Sequence, residues 1–166
     1  MFQSLLPQYA KTLGIPENEV EEVYIEKVYI KVPAIKEGYK ALKELNLLGI
    51  NTLATAIFIP QQALMAAGCG ADYVAPYVNR IDNVSGDGIK VVSEIVEVYN
   101  THQLKTEVMA ASFKNVTQVH KCSLVGAQFI TASPDVIEEH HSHPSSEISV
   151  NQFTKDWQER FGTVTI

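Results

Sequence analysis

The sequence predicts an α/β fold in which five parallel strands alternate with helices in one domain of 166 residues. From residue 28 onward, short runs rich in β-branched residues alternate with amphipathic stretches of roughly ten to fifteen residues, the pattern of βα units around a parallel sheet. A composition of 46% hydrophobic and 19% charged residues indicates a globular chain. The length falls short of the roughly 200 residues that a closed eight-stranded barrel of such units needs.

The predicted strands are short, and glycine, proline or polar residues bound each of them. They cover residues 28–32, 52–57, 73–75, 107–111 and 128–131. Their mixed apolar character is typical of strands that are buried on both faces of a sheet. We therefore expect these strands to form a central parallel sheet.

The predicted helices follow the strands in turn. They cover residues 36–48, 60–67, 87–99, 116–125 and 134–139. In the first of them Tyr39, Leu42 and Leu45 recur at helical spacing, which predicts a buried stripe. Pro60 and Pro134 suit a first helical turn, where a missing N–H costs nothing.

The two ends of the chain differ from this pattern. A C-terminal helix is predicted over residues 149–162, with Phe153, Trp157 and Phe161 at spacings of four residues on one face. That stripe must pack either on the underside of its own sheet or on a neighbouring molecule. Residues 1–27 form a divergent segment in which a helix and a linker are both possible.

Charge and composition exclude several classes of partner. Thirteen Lys and Arg against nineteen Asp and Glu give a net charge of −6, and no basic stripe is present, so nucleic acid is not an expected partner. No apolar run reaches 18 residues, so we expect no membrane-spanning helix. The opening residues lack the pattern of a secretory signal, and the two cysteines suit a reducing compartment, which predicts a cytoplasmic protein.

Lys31 is the first candidate for chemistry. It lies inside an apolar strand, where a buried cation is costly unless it is paired or neutral. Burial lowers the pKa of a lysine and leaves an amine that can attack a carbonyl and form a Schiff base. The alternative is a lysine on an edge strand with its ammonium group in solvent.

Four polar residues stand at the ends of the following strands, where parallel α/β sheets bind ligands. They are Thr55, Tyr77, Arg80 and Ser112. Each has a structural alternative. Thr55 could be a β-branched residue that only occupies space in its strand, and Tyr77 could be an amphipathic core residue. Arg80 could form an ion pair with Asp82, and Ser112 could cap a helix. Together with an amine they indicate a site for a phosphorylated carbonyl compound.

Two further groups are weaker candidates. His140, His141 and His143 follow a pair of glutamates and suit either a transition-metal site or a solvated loop that runs into a proline. Asp82 and Asp87 are potential acids, although nothing in the sequence places them near the lysine.

Several ordered motifs resemble one known family. They are YIKVP from residue 29, TLATAIFIPQQ from 52, YVAPYVNRID from 73, GDG from 86 and AASFK from 110. Over residues 24–162 the chain is similar to the small transaldolase family, and most like its fructose-6-phosphate aldolase branch. The resemblance implies a (β/α)8 barrel and class I aldol chemistry on sugar phosphates, such as dihydroxyacetone with glyceraldehyde 3-phosphate, without a cofactor or a metal.

The resemblance also assigns roles to residues. It implies that Lys31 is the Schiff-base nucleophile, that Thr55 and Tyr77 hold a proton-shuttling water, and that Arg80 and Ser112 bind the substrate phosphate. A tyrosine in the Ala-Pro-Tyr segment is similar to the aldolase branch, whereas transaldolases usually place a phenylalanine there. Family members form rings through their C-terminal helix, which implies a homo-oligomer.

The chain departs from the family at its beginning. The family barrel starts with three βα units that carry an aspartate acid/base, an asparagine, and a glutamine or glutamate, and we find none of these. Since the lysine strand is the fourth in the family, we expect an N-terminally truncated barrel of about five βα units plus the C-terminal helix. There are two alternatives to an aldolase. One is a transaldolase, and the other is a catalytically impaired remnant that keeps a sugar-phosphate half-site.

Overall fold

The computed structural model describes residues 28–162. Within this part of the chain, five strands alternate with helices, which confirms the predicted α/β fold. In chain order the elements are β1 (Ile30–Pro33), α1 (Lys36–Leu47), β2 (Thr52–Ile57), α2 (Pro60–Gly68), β3 (Tyr73–Pro76), α3 (Val78–Asp82), α4 (Gly88–Thr101), β4 (Glu107–Ala111), α5 (Val116–Leu124), β5 (Phe129–Thr131), α6 (Pro134–Glu138) and α7 (Pro144–Phe161). The segment at 1–27, with its two open interpretations, lies outside the described residues.

The strands form one parallel sheet in the order β1-β2-β3-β4-β5. Because sequential strands are neighbours and helices connect them, the right-handed crossover rule places the helices on one face. This is the arrangement of consecutive units in a (β/α) barrel. Among the described residues the sheet is open, with edges at β1 and β5.

The helix-covered face of the sheet holds the main core. The register aligns Val32, Ala54, Val74 and Val108 across four strands, and all four side chains are buried. Small residues in α2 let that helix approach the sheet closely, and Ala63 and Ala66 are fully buried there. The hydroxyl of Tyr99 on α4 donates to the carbonyl of Ala63 at 2.7 Å, and burial raises the pKa of that hydroxyl.

The helix-free face carries a second, smaller cluster. Leu53, Ala75 and Ala111 are buried in it, and Tyr73, Tyr77 and Met109 pack around them. Burial on both faces is thus confirmed for the central strands. At the edges it is wrong: Ile30 and Lys31 on β1 and Phe129 and Thr131 on β5 are exposed, because in the described chain each edge strand has a neighbour on one side only.

The C-terminal helix begins earlier than predicted and packs less. Helix α7 starts at Pro144, where a proline occupies the first turn and the Nδ1 of His143 accepts a hydrogen bond from the N–H of Ser145 at 3.2 Å. None of its residues is buried, and Phe153, Trp157 and Phe161 are 67%, 53% and 61% exposed. Packing on the underside of its own sheet is therefore not found among the described residues. No helix in the described part of the chain is long and apolar enough to cross a membrane.

Candidate active site

The candidate residues lie on β1 and β2 and directly after the carboxyl ends of β3 and β4. Lys31 pairs with Leu53 in the register, and Pro33 pairs with Thr55, so all of these side chains point to the helix-free face. Lys31 lies on β1, which among the described residues is an edge strand, and its side chain is exposed. Of the two interpretations of this lysine, the structure supports the edge-strand position.

A hydrogen bond joins the two hydroxyls of the site. The Oγ1 of Thr55 and the Oη of Tyr77 lie 2.8 Å apart, and both side chains are half-buried. Tyr77 also packs against the smaller cluster, as the alternative of an amphipathic core residue predicts. Phe58 packs its edge on the Tyr77 ring at 5.9 Å between centroids. Sequence reasoning missed Phe58, although its place directly after β2 put it at the same edge of the sheet.

A bulge at the end of β2 produces this contact. The register moves from Ala54 opposite Val74 to Ile57 opposite Pro76, so β2 holds one extra residue. Ala56 lies in the bulge and has a left-handed backbone, with φ of 57°. The N–H of Tyr77 then donates to the carbonyl of Ile57 at 3.0 Å, which fixes the start of the segment after β3.

The register also places the lysine near the hydroxyl pair. Thr55 lies one strand across from Lys31 and two residues further along the same face. With strands about 4.8 Å apart and a rise of about 3.3 Å per residue, their Cα atoms are ~8 Å apart. A long lysine side chain and a small ketone between the two residues can span that separation.

Arg80 and Ser112 follow neighbouring strands, and a backbone hydrogen bond joins the segments that carry them. The Cζ of Arg80 lies 4.6 Å from the centroid of the Tyr77 ring, which is a cation–π contact. The N–H of Asn79 donates to the carbonyl of Ser112 at 2.7 Å, so the loop after β4 is tied to α3. Ser112 has a left-handed backbone with φ of 62°, and the capping residue of α5 is Asn115 instead.

The alternative of an ion pair between Arg80 and Asp82 is not found. Ion pairs among the described residues join Lys40 to Glu37 and Lys90 to Glu94, and the guanidinium of Arg80 is exposed. A stacked and exposed guanidinium keeps N–H donors for an anion such as phosphate.

Both potential acids have structural partners. Asp82 accepts from the N–H of Gly88 at 2.8 Å and from Nε2 of Gln118 at 2.7 Å. Asp87 caps α4 by accepting from the N–H of Lys90 at 2.9 Å. These contacts hold the connection between β3 and α4, on the far side of β2 from the lysine strand.

The histidines do not assemble into a metal centre. Within residues 28–162 no three side chains of the histidine, cysteine or acidic type come close enough to hold one ion. His140 and His143 line a cleft of about 520 Å³ between α5 and the α6–α7 connection. The Nδ1 of His140 lies 2.9 Å from the carbonyl of Val136. His120 and Cys122 on α5 differ in their surroundings as well: His120 is exposed, whereas Cys122 is buried. Burial raises the pKa of the Cys122 thiol to about 12.

Comparison with known proteins gives one family for nearly the whole chain. Residues 17–164 match the family described as transaldolase/fructose-6-phosphate aldolase. A probable transaldolase of Dictyoglomus turgidum is 39% identical over 131 residues, which cover 79% of this chain and 61% of that protein. A probable transaldolase of Brachyspira hyodysenteriae is 38% identical over 145 residues, covering 87% of this chain and 66% of that protein. The chain thus spans a little under two thirds of the length of these curated relatives.

Solved structures share a more distant likeness. A flavocytochrome b2 variant with bound pyruvate aligns with a TM-score of 0.47 and 21% identity, over 55% of this chain and 25% of that chain. A mandelate oxidase variant with mandelic acid aligns with a TM-score of 0.43 and 17% identity, over 57% and 28%. Likeness at this level carries no functional conclusion.

Proposed function

We propose a Schiff-base aldolase function for this chain, which belongs to the transaldolase/fructose-6-phosphate aldolase family. The substrate class is a sugar phosphate, with fructose 6-phosphate cleaved to dihydroxyacetone and glyceraldehyde 3-phosphate. The observation that carries the proposal is the Thr55–Tyr77 hydroxyl pair at 2.8 Å, on the same sheet face and one strand away from Lys31. Two hydroxyls in that position can hold a water beside an imine.

Lys31 supplies the nucleophile in this proposal. The lone pair of its Nζ attacks the ketone carbon, and the carbinolamine takes up one proton and loses one water to give a protonated imine. The bond between C3 and C4 of the sugar then breaks, its electron pair passes to the imine nitrogen, and the C4 hydroxyl gives up its proton. Protonation of the resulting enamine at C3 and addition of water release dihydroxyacetone and restore the amine.

Thr55 and Tyr77 move protons in this sequence of steps. A hydroxyl both donates and accepts, so the bonded pair can pass a proton through a held water to or from the carbinolamine and the C4 oxygen. Such general acid–base assistance contributes about 10²–10⁴ in rate.

The phosphate half of the site is assigned to Arg80 and Ser112. The exposed guanidinium of Arg80 presents paired N–H donors, and the bond from Asn79 to Ser112 keeps the two strand ends together. Contact of the guanidinium with the Tyr77 ring joins the phosphate half to the proton-moving half.

Transaldolase activity is the second candidate within the same family. It is favoured by the similarity to two probable transaldolases, whereas Tyr77 in the Ala-Pro-Tyr segment favours the aldolase. The two differ in the fate of the three-carbon unit. An aldolase releases free dihydroxyacetone without an acceptor, whereas a transaldolase releases it only onto an aldose acceptor.

A binding-only role is the third candidate, and the exposure of Lys31 favours it. Schiff-base lysines are activated by a desolvated pocket, whereas Lys31 is open to water on an edge strand. In this case sugar phosphate would bind at Arg80 and Ser112 without turnover.

Borohydride trapping separates the enzyme from the binding-only role. The protein is incubated with fructose 6-phosphate and borohydride, and the peptide that contains Lys31 is analysed by mass spectrometry. We expect a reduced adduct on Lys31 that is lost in Lys31→Met and kept in Lys36→Met, since Lys36 is an exposed lysine five residues away. Absence of an adduct on Lys31 would contradict the Schiff-base function.

Assembly and location belong to the same proposal. The exposed aromatic stripe of α7 supports a homo-oligomer in which this helix packs on a neighbouring copy. Cys69 and Cys122 are both free thiols, which is in keeping with the reducing cytoplasm as the place of action.

A further inference from the structure

Two of the loops at the candidate site have the same internal geometry. Ala56, in the bulge near the end of β2, has φ of 57°, and Ser112, directly after β4, has φ of 62°. Two residues later a backbone N–H donates to a glutamine side chain four residues further on. These bonds run from Phe58 to Oε1 of Gln62 at 2.9 Å and from Lys114 to Oε1 of Gln118 at 2.8 Å.

Each glutamine is the third residue of the helix that follows its loop, in α2 and in α5. Its Oε1 therefore lies at the N-terminus of the helix, where the backbone N–H groups of the preceding loop need an acceptor. Gln62 also accepts from the N–H of Ile59 at 3.3 Å. In the sequence, each glutamine stands six residues after the residue with the left-handed backbone: Gln62 after Ala56, and Gln118 after Ser112.

The amide nitrogen of each glutamine reaches across to the preceding strand end. Nε2 of Gln62 donates to the carbonyl of Ala34 at 3.2 Å, three residues after the lysine of β1. Nε2 of Gln118 donates to Oδ2 of Asp82 at 2.7 Å, two residues after Arg80 on α3. One side chain thus ties together two consecutive strand ends in each half of the site.

We propose that Gln62 and Gln118 are positioning residues, each of which holds one half of the active site. Gln62 fixes the strand end of Lys31 against that of Thr55, where the imine forms. Gln118 fixes the strand end of Ser112 against Arg80, where the phosphate binds. This inference rests on the proposed function, since it divides that site into an imine half and a phosphate half.

Glutamine is the side chain that this position needs. An uncharged amide accepts with its oxygen and donates with its nitrogen in one plane, so it can hold both loops at once. A glutamate keeps the acceptor but places a second oxygen against the carbonyl of Ala34 or the carboxylate of Asp82. Small displacements of reacting groups are costly, about 10²-fold for 1 Å.

The test compares Gln62→Leu and Gln118→Leu with Gln61→Leu, the neighbouring exposed glutamine of α2, for which the described residues show no side-chain hydrogen bond. Steady-state cleavage of fructose 6-phosphate gives kcat and KM. Trapping with unphosphorylated dihydroxyacetone gives the rate of adduct formation on Lys31. Titration with inorganic phosphate gives the affinity of the phosphate half without any turnover.

The expected result is a crossed pattern. Gln62→Leu lowers kcat and the trapping rate about tenfold and leaves phosphate affinity within about twofold. Gln118→Leu raises KM and weakens phosphate binding about tenfold and leaves the trapping rate within about twofold. Gln62→Glu and Gln118→Glu are measured in the same way, in case a leucine variant does not fold. They keep the oxygen that accepts from the loop N–H and lose the bond that Nε2 donates.

Two outcomes overturn the proposal. One is that Gln62→Leu and Gln118→Leu behave like Gln61→Leu. The other is that both lower every parameter together with the melting temperature, which is what a purely structural role predicts. If the unaltered protein forms no adduct on Lys31, the Schiff-base function fails on its own, and phosphate titration of Gln118→Leu still decides the phosphate half.

Discussion

At the residue scale, Tyr77 joins three other residues of the candidate site. It is bonded to the hydroxyl of Thr55 at 2.8 Å, and its ring contacts Phe58 and the guanidinium of Arg80. In the proposed function the oxygen and the ring have different roles: the oxygen takes part in proton transfer, and the ring supports the guanidinium proposed to bind phosphate. A substitution that removes only the oxygen separates the two.

Tyr77→Phe is expected to lower kcat for fructose 6-phosphate cleavage by about 10², because it removes one member of the proton-moving pair and keeps the ring under Arg80. Steady-state assays with and without an aldose acceptor measure both cleavage and transfer. We expect transfer of the dihydroxyacetone unit to be less affected than cleavage. Thr55→Val serves as the matched variant, since it removes the other hydroxyl of the pair at nearly equal volume. An unchanged kcat in both variants would exclude the proton relay.

At the element scale, the short helix α3 carries Arg80 and depends on its contact with α4. Gly88 begins α4 and is buried, and a Cβ atom on it would lie 2.5 Å from the carbonyl oxygen of Val78 at the start of α3. Asp82 ties the two helices together by accepting from the N–H of Gly88 at 2.8 Å. The position of the phosphate-binding residue thus follows from how closely two helices approach.

Gly88→Ala is expected to cost about 1–3 kcal/mol of unfolding free energy and to weaken phosphate binding, because the added methyl group pushes α3 away from α4. Urea unfolding and phosphate titration measure the two effects. Gly68→Ala in α2 is the control, since a Cβ there meets nothing within 4 Å. Equal stability of the two variants would show that the close approach at Gly88 is unimportant.

Helix α7 gives the second prediction at this scale. Trp157 and Phe161 pack on each other at 4.5 Å between centroids but remain 53% and 61% exposed. We expect Trp157→Ala to shift the protein toward smaller assemblies in light scattering, because it removes the largest apolar group of the stripe. Lys155→Ala on the same helix should leave the mass unchanged. A tryptophan variant with the mass of the unaltered protein would argue against α7 as the interface.

At the scale of the whole molecule, the two faces of the sheet have different roles. Helices cover one face and bury the main core, whereas the other face carries Lys31, Thr55 and Tyr77. The main core and the residues of the proposed chemistry therefore lie on opposite sides of the same strands. Ligand binding on the helix-free face is expected to stabilise the whole fold, because the bound sugar phosphate connects neighbouring strand ends.

Fructose 6-phosphate is expected to raise the melting temperature by several degrees at saturating concentration, through preferential binding to the folded chain. Arg80→Ala should lose most of that shift, since the guanidinium supplies the phosphate contacts. Differential scanning calorimetry measures the shift, with Lys43→Ala as a control that removes an exposed cation from α1. A full shift in Arg80→Ala would place the phosphate elsewhere. A shift without cleavage would favour the binding-only role.

Much of the architecture was predictable because its signals are local. The strand at 52–57 and the helix at 60–67 were predicted from β-branched content, a proline at the first turn and hydrophobic periodicity, and the structure has them at Thr52–Ile57 and Pro60–Gly68. The short helix α3 was missed, since five residues hold little more than one helical turn and give no readable period. Helix α7 begins at Pro144 and not at 149 because the proline and the His143 cap extend it.

The sequence by itself determined the order of strands and helices, the family, and which polar residues stand at strand ends. Tertiary structure decided the rest. It set the exposure of Lys31, because only the sheet order shows that β1 lies at an edge. It also brought Thr55 to Tyr77 through the bulge at Ala56 and linked the loops through Gln62 and Gln118. The physical reason is that periodicity reports the contacts of a residue with its own element, whereas these contacts join residues more than twenty positions apart.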